Sequence, residues 1–333
     1  MDNLLVMMAV KTADGDKLPS LLFWPIFTLF IALFAFMFLL YLRKRSTKTM
    51  QICVYVAIGL CIIAAIVCVA LIGKYYVDNI KNDDYYSPHL KNAPLYISAI
   101  VLIAVIIGLT FLLGRKETFK FDSRSVAFGA VCVAMSFALS YVRLFKLPQG
   151  GSVTLASLLP IMLFSYIFGV KKGLLVGLIY GVLQAIQDPY IIHPMQFLLD
   201  YPIAFSAIGL SGAFAKLNVF KKYPQVSLLL GGILASVLRY LAHFLSGAFA
   251  FGAYAGGKNI YAYSLAYNSF VFADIAIALV AGALLFSSKA FMNEVVYKQR
   301  ARVAVASESV SSESSNNSAQ SEVASDNANS EEK

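Results

Sequence analysis

The feature that most constrains this chain is a set of apolar runs about as long as a bilayer is thick. Residues 21–42, 52–72 and 95–114 each hold about twenty consecutive residues without a charge, the length at which a helix crosses roughly 30 Å of hydrocarbon. Six further runs follow at closer spacing and with more glycine: 126–141, 153–168, 173–186, 195–215, 226–246 and 263–287. Backbone polar groups find no water in hydrocarbon, so an open chain crosses it as helices. The expected fold is therefore an all-α polytopic membrane protein, a six-helix bundle preceded by three extra transmembrane helices. Three regions follow: 1–120 with three spans, 121–290 with six, and 291–333, whose Ser/Glu/Asn-rich composition lacks apolar periodicity and predicts a solvated, largely disordered tail.

Composition agrees, with 59% hydrophobic and 14% charged residues against about 25% charged in soluble domains. The formal charge of +9 does not indicate nucleic acid, because the basic residues are dispersed among short loops. The loops at 43–48, 115–124, 171–172, 216–222 and 289–302 hold seventeen Lys and Arg, and the alternate loops eight. Under the positive-inside rule this places the N-terminus outside and the C-terminus in the cytoplasm. Residues 1–20 show no small-residue cleavage site, so no cleaved signal peptide is expected. Cys53, Cys61, Cys68 and Cys132 all lie within apolar runs and form no cluster with histidine, which predicts neither a disulfide nor a metal site. There is no P-loop, HExxH or GxSxG pattern, and the chain reads as neither an enzyme nor a cofactor protein.

One run carries chemistry that a lipid-facing helix avoids. Residues 193–212 read HPMQFLLDYPIAFSAIGLSG. An ionised Asp200 in hydrocarbon costs at least about 2.5–3.5 kcal/mol, so it is expected to face a bundle interior or cavity. With the orientation above, Asp200 and Tyr201 lie in the outer part of the fourth core span, next to the outer loop 187–194. His243 falls in the outer half of the fifth span and Asn268 near the outer start of the sixth, with Tyr180 and Gln184 on the third. Four helices thus bring polar or aromatic groups to one depth, as a ligand pocket requires. Tyr180, Tyr190, Tyr201, Tyr263 and Phe251 offer stacking faces, and Asp200 favours a cation or an amine donor. Arg239 and His243 share a helix face, and Asp274 is placed to pair with Arg239. In the first core span Ala130, Ala134 and Ala138 form a small-residue stripe that admits close approach of another helix, within the bundle or from a partner.

Residues 121–290 resemble the thiamine-specific substrate-binding (S) components of energy-coupling-factor vitamin transporters. The matching stretches are the AxxxAxxxA helix, LLPI at 158–161, GLIYG at 177–181, QFLLDYPIAF at 196–205, RYLAHFLSG at 239–247 and YSLAYN at 263–268. The resemblance implies a six-helix bundle that binds thiamine or a close analogue near the outer face. It also implies docking of Ala130, Ala134 and Ala138 on a transmembrane coupling (T) subunit driven by two ATPase (A) subunits, with no cofactor in this chain. Asp200 stands where the family has a glutamate, and Tyr190, Tyr201, His243, Tyr263 and Asn268 match ligand-contacting positions. Tyr180 and Phe251 replace family tryptophans. The loop before the second helix reads GGSVTL, with Gly151 and Leu155 in place of a tryptophan and a glutamate, which predicts weaker closure over a cation. A binding subunit for a thiamine precursor, a stand-alone secondary transporter and a membrane scaffold or sensor stay open as rivals. The secondary transporter would want inverted repeats and an ion site, and no convincing internal repeat is visible.

Overall fold

The computed structural model describes residues 10–11, 17–18, 23–42, 48–79, 93–115, 117, 119–191, 193–217, 220, 222–303 and 305. Contacts divide the chain into two compact units, Met1–Leu284 and Leu285–Lys333. In the first, a two-residue antiparallel pairing of β1 (Val10–Lys11) with β2 (Lys17–Leu18) precedes three long helices. These are α1 (Phe23–Leu42), α2 (Lys48–Asn79) and α3 (Ala93–Leu113). The spans expected at 21–42, 52–72 and 95–114 are all present, and α2 outruns its apolar core at both ends. Among the described residues six helical stretches are long and apolar enough to cross a membrane: α1, the middle of α2, α3, Ser123–Ser140, Pro224–Ala250 and Ile260–Ser287. The chain is a multi-pass membrane protein of the all-α class, its described strands confined to two short hairpin pairings.

The six-helix unit opens with α4 (Ser123–Ser140), begun by a capping box. Asp122 Oδ1 accepts the Ser125 amide at 3.2 Å, and Ser125 Oγ accepts the Asp122 amide at 3.0 Å. The span expected to begin at 153 does not start as a helix. The chain first forms a hairpin, β3 (Arg143–Lys146) against β4 (Ser152–Thr154), turning through positive φ at Gln149 and Gly150. The GGSVT sequence suits a turn and an extended strand, and the helix waits for Pro160 in the first turn of α5 (Leu159–Phe168). Gly169, at φ +96°, separates α5 from α6 (Val170–Gln187).

The expected span 195–215 is broken into α7 (Pro194–Leu198), a π-helical turn (Leu199–Ile203), α8 (Ala204–Ile208) and a 3₁₀ turn (Gly209–Gly212). Pro202 cannot donate a helical hydrogen bond, and the Ala204 amide reaches back five residues to Leu199 O. The expected final span is likewise two helices, α10 (Ile260–Tyr267), capped by Asn259, and α11 (Phe270–Ser287), after the single long α9 (Pro224–Ala250).

α1 and α3 both pack on the six-helix unit. Ile26 and Leu29 of α1 share a cluster with Cys68 of α2, Val182 and Ala185 of α6, and Phe197 of α7. Ala99, Leu102 and Ile106 of α3 pack with Leu199, Ala204 and Ala207 of the broken segment and with Leu238 and Ala242 of α9. In the second unit the chain is helical through α12 (Lys289–Phe291) and a π-helical stretch (Met292–Tyr297) to residue 303. The tail reading from 291 therefore gives way to helix over its first part, at 291–303 and 305, and the rest lies outside the described residues.

Candidate ligand-binding site

The site is built where α6 meets the broken segment without side chains between them. Gly173, Gly177 and Gly181 recur every fourth residue on α6. A methyl group on Gly181 would stand 2.4 Å from Tyr201 O, and one on Gly177 would stand 2.4 Å from Phe205 O. Small residues at this spacing let helix backbones touch. The contact seats Tyr201 and Phe205 at fixed depth, while the π turn presents Asp200 and Tyr201 at the break. Such bulges re-aim side chains at functional positions.

Asp200 is the polar centre. Its Oδ1 lies 2.9 Å from His243 Nδ1 of α9, and its Oδ2 accepts the Gln196 Nε2 donor at 2.8 Å. Beside a carboxylate, Nδ1 carries the proton, so neutral His243 has an accepting Nε2. That nitrogen is buried and has no hydrogen-bond partner among the described residues. Asn268 donates through Nδ2 to His243 O, Ser264 O and Ser264 Oγ at 3.0–3.1 Å, tying α9 to α10 and leaving its carbonyl oxygen for a ligand.

Aromatic rings wall the space above. Tyr190, Phe251 and Tyr254 form one group, with the Tyr190 and Phe251 centroids 5.4 Å apart and the Tyr190 and Tyr254 hydroxyls hydrogen-bonded. Tyr263, Tyr267 and Phe270 form another, with Tyr263 stacked on Tyr267 at 5.9 Å. The Tyr201 hydroxyl accepts the Tyr190 amide at 2.8 Å and donates to Asp188 O at 3.2 Å, pinning the loop between α6 and α7. The hairpin contributes Gln149, Gly150, Gly151 and Ser152 to the same cavity, whose empty space including its mouth is about 840 Å³.

The loop before the second helix, expected to close weakly over a cation, is this hairpin, and it is tied to α10. The Tyr267 hydroxyl donates to Pro148 O and accepts the Gly151 amide at 3.2 Å. A methyl group on Gly151 would stand 3.0 Å from Phe270 and from the Tyr267 hydroxyl, so glycine lets the hairpin settle on these rings. Asp188 accepts Arg143 at 2.7 Å and Lys146 at 3.1 Å, holding the hairpin's other strand. Leu155 is exposed.

A buried ion pair lies beside the polar centre. Arg239 Nη1 and Asp274 Oδ2 are 2.7 Å apart, the pairing expected from sequence, with side chains 5% and 2% exposed. Asp274 Oδ1 accepts both the Thr154 amide and its hydroxyl, at 2.9 and 2.8 Å, so this pair also anchors the end of the hairpin. The Arg239 guanidinium lies 4.8 Å from the Phe205 ring centre.

The structure brings together seven of the eight sequence-selected ligand residues: Tyr190, Asp200, Tyr201, His243, Phe251, Tyr263 and Asn268 all line the cavity. Tyr180 does not. It is 1% exposed, donates to Ser136 O and packs edge-on against Phe205, which is the lining residue at that point. Of the docking stripe, Ala134 and Ala138 are exposed and Ala130 is half-buried. Sequence reasoning missed Gln196, Phe205, Tyr267, Phe270 and the hairpin. Most of the hairpin fell in the loop between two expected spans, and only Val153 and Thr154 at its end were read as the start of a helix. Gln196 could have been found four residues before Asp200 on the same helix face.

A model of the family described as "Thiamine transporter protein" matches residues 126–293. The chain belongs to this family. Thiamine transporter ThiT of Bacillus subtilis (strain 168) is 43% identical over 162 residues, spanning 44% of this chain and 84% of that protein. Thiamine transporter ThiT of Lacticaseibacillus paracasei is 30% identical over 173 residues, 47% of this chain and 84% of that one. A solved structure of ThiT from Listeria monocytogenes, 24% identical, covers 49% of this chain and 93% of its own, with a TM-score of 0.44. As a thiamine transporter family member, the chain is a transport protein and not an enzyme. Helices α1–α3 lie outside the family-matched segment.

Proposed function

We propose that this chain is the S component of an energy-coupling-factor importer and binds thiamine, or a close analogue, in the cavity around Asp200. The observation that carries this reading is one carboxylate held by His243 and Gln196 inside an aromatic enclosure. Thiamine carries a permanently cationic thiazolium and an aminopyrimidine. Asp200 offsets the charge, the rings of Tyr190, Phe251, Tyr263 and Tyr267 offer π faces to a cationic heterocycle, and His243 Nε2 accepts from an amino group. The named relatives being thiamine transporters supports the same ligand.

The excess of Lys and Arg in alternate loops supports entry from the outer face, with the N-terminus outside and the C-terminus cytoplasmic. The exposed Ala134 and Ala138 on α4 suit docking on a transmembrane coupling subunit, whose two ATPase partners would supply the energy. Titration calorimetry of the full chain in detergent with thiamine, without partners or ATP, tests this directly. One-to-one binding that is lost in Asp200→Ala and His243→Ala, with folding intact, is the expected result. Absence of binding to the folded chain rejects thiamine, and pyrimidine and thiazole precursors then become the ligands to titrate.

A further inference from the structure

Leu95, Ala99, Leu102, Ile106 and Thr110 are the buried residues of α3 and form one helix face. That face packs on the broken segment and on α9, and near its start the contact becomes polar. The Tyr96 hydroxyl lies 3.1 Å from His193 Nε2. The rings of Tyr96, His193 and Phe249 pack edge to face, with centroids 4.6–5.8 Å apart. On the far side of the imidazole, Nδ1 accepts the Met195 amide at 3.0 Å, making His193 the N-cap of α7.

An accepting Nδ1 carries no proton, so in the neutral ring the proton sits on Nε2 and is donated to the Tyr96 oxygen. Tyr96 therefore favours the tautomer that can cap. The capped turn leads directly to Gln196, whose Nε2 grips both Tyr190 O and Asp200 Oδ2 at 2.8 Å. Displacing that first turn displaces the carboxylate at the polar centre.

We infer that Tyr96, on a helix outside the family-matched segment, is a positioning residue for the ligand site: through His193 it holds the turn that aims Gln196 and Asp200. The inference rests on reading the cavity as the thiamine site. It makes α3 part of the binding apparatus, beyond its role as a membrane anchor.

The test uses the full chain in detergent, with thiamine titration and hydrogen exchange of residues 193–201 in the ligand-free protein. Tyr96→Phe keeps the ring and removes the acceptor. It is expected to weaken binding about three- to tenfold, the scale of one lost hydrogen bond, and to speed exchange of the Met195 amide while exchange in α9 stays unchanged. His193→Asn retains a capping oxygen but loses the Tyr96 contact, and is expected to weaken binding similarly. The double variant should be no weaker than the weaker single, since both remove one coupling. Unchanged affinity and exchange in Tyr96→Phe, or additive losses in the double variant, overturn the inference. If Asp200→Ala abolishes binding while Tyr96→Phe changes nothing, the thiamine reading stands and this inference falls. If the unsubstituted chain binds no thiamine, the thiamine reading falls, and the ligand-free exchange still decides: faster exchange supports the tie through Tyr96, and unchanged exchange refutes it.

Discussion

The glycines of α2 and α3 and those of α6 show how differently two parts of one membrane protein are built. A methyl group placed on Gly59 of α2 or Gly108 of α3 would meet nothing within 4 Å. The same group on Gly177 or Gly181 of α6 would collide with backbone oxygen at 2.4 Å. α2 exposes Ile52, Leu60, Ile63 and Ile66 over more than half their surface, and its fitness for the bilayer is simply apolar. The six-helix unit buries charged groups such as Arg239 and Asp274, and its close helix packing brings them their partners. Close packing and buried polarity belong together, and both coincide with the cavity.

The comparison can be broken at several points, beginning with the largest expected effect. Gly181→Leu should abolish folded, monodisperse protein in size-exclusion chromatography, whereas Gly59→Leu should elute unchanged. Equal behaviour of the two would show that the α6 contact is not required. Asp274→Ala strands Arg239 and frees Thr154. Removing one partner of a buried pair costs about 3–5 kcal/mol, so thermal unfolding in detergent should shift sharply downward or yield no folded protein.

A smaller effect concerns pH. Burial lowers the His193 pKa from 6.5 to about 4. An unfolded chain then binds a proton between those values that the folded chain refuses. Stability is thus complete above pH 6.5 and declines as pH falls toward 4. A melting-temperature series from pH 7.5 to 4 should show this decline, and His193→Asn should flatten it. The smallest change is expected for Asp188→Asn, which loosens half-exposed ion pairs to Arg143 and Lys146 worth at most about 1 kcal/mol. Its melting temperature should move little, and the effect should shrink further at high salt.

Much of this was legible in the residues because membrane insertion is governed by length and polarity, which are local quantities. The three N-terminal spans, α4, α6 and α9 fall where the apolar runs place them. Asp200, His243 and Asn268 stood out because each is expensive in hydrocarbon. The Arg239–Asp274 pair was readable for the same reason. The hairpin at 143–154 was not: its first strand and turn fell in the loop between two expected spans, and its Val153 and Thr154 extend an apolar run in which nothing local distinguishes a strand from a helix start. Tyr180 was misplaced because Gln184, one turn along α6, lines the cavity, and only the packing of Phe205 over Tyr180 removes it from the lining.

By itself, then, the sequence determined that the chain crosses the membrane many times and which side chains demand a polar shelter, because transfer energies are additive along a segment. Only the tertiary structure decided what shelters them: the glycine contact that sets Tyr201, the Tyr267 bond that seats the hairpin, and the reach of Tyr96 from α3 to His193. Those pairings join residues far apart in the chain, and their energies depend on distances of a few tenths of an ångström that no local pattern encodes.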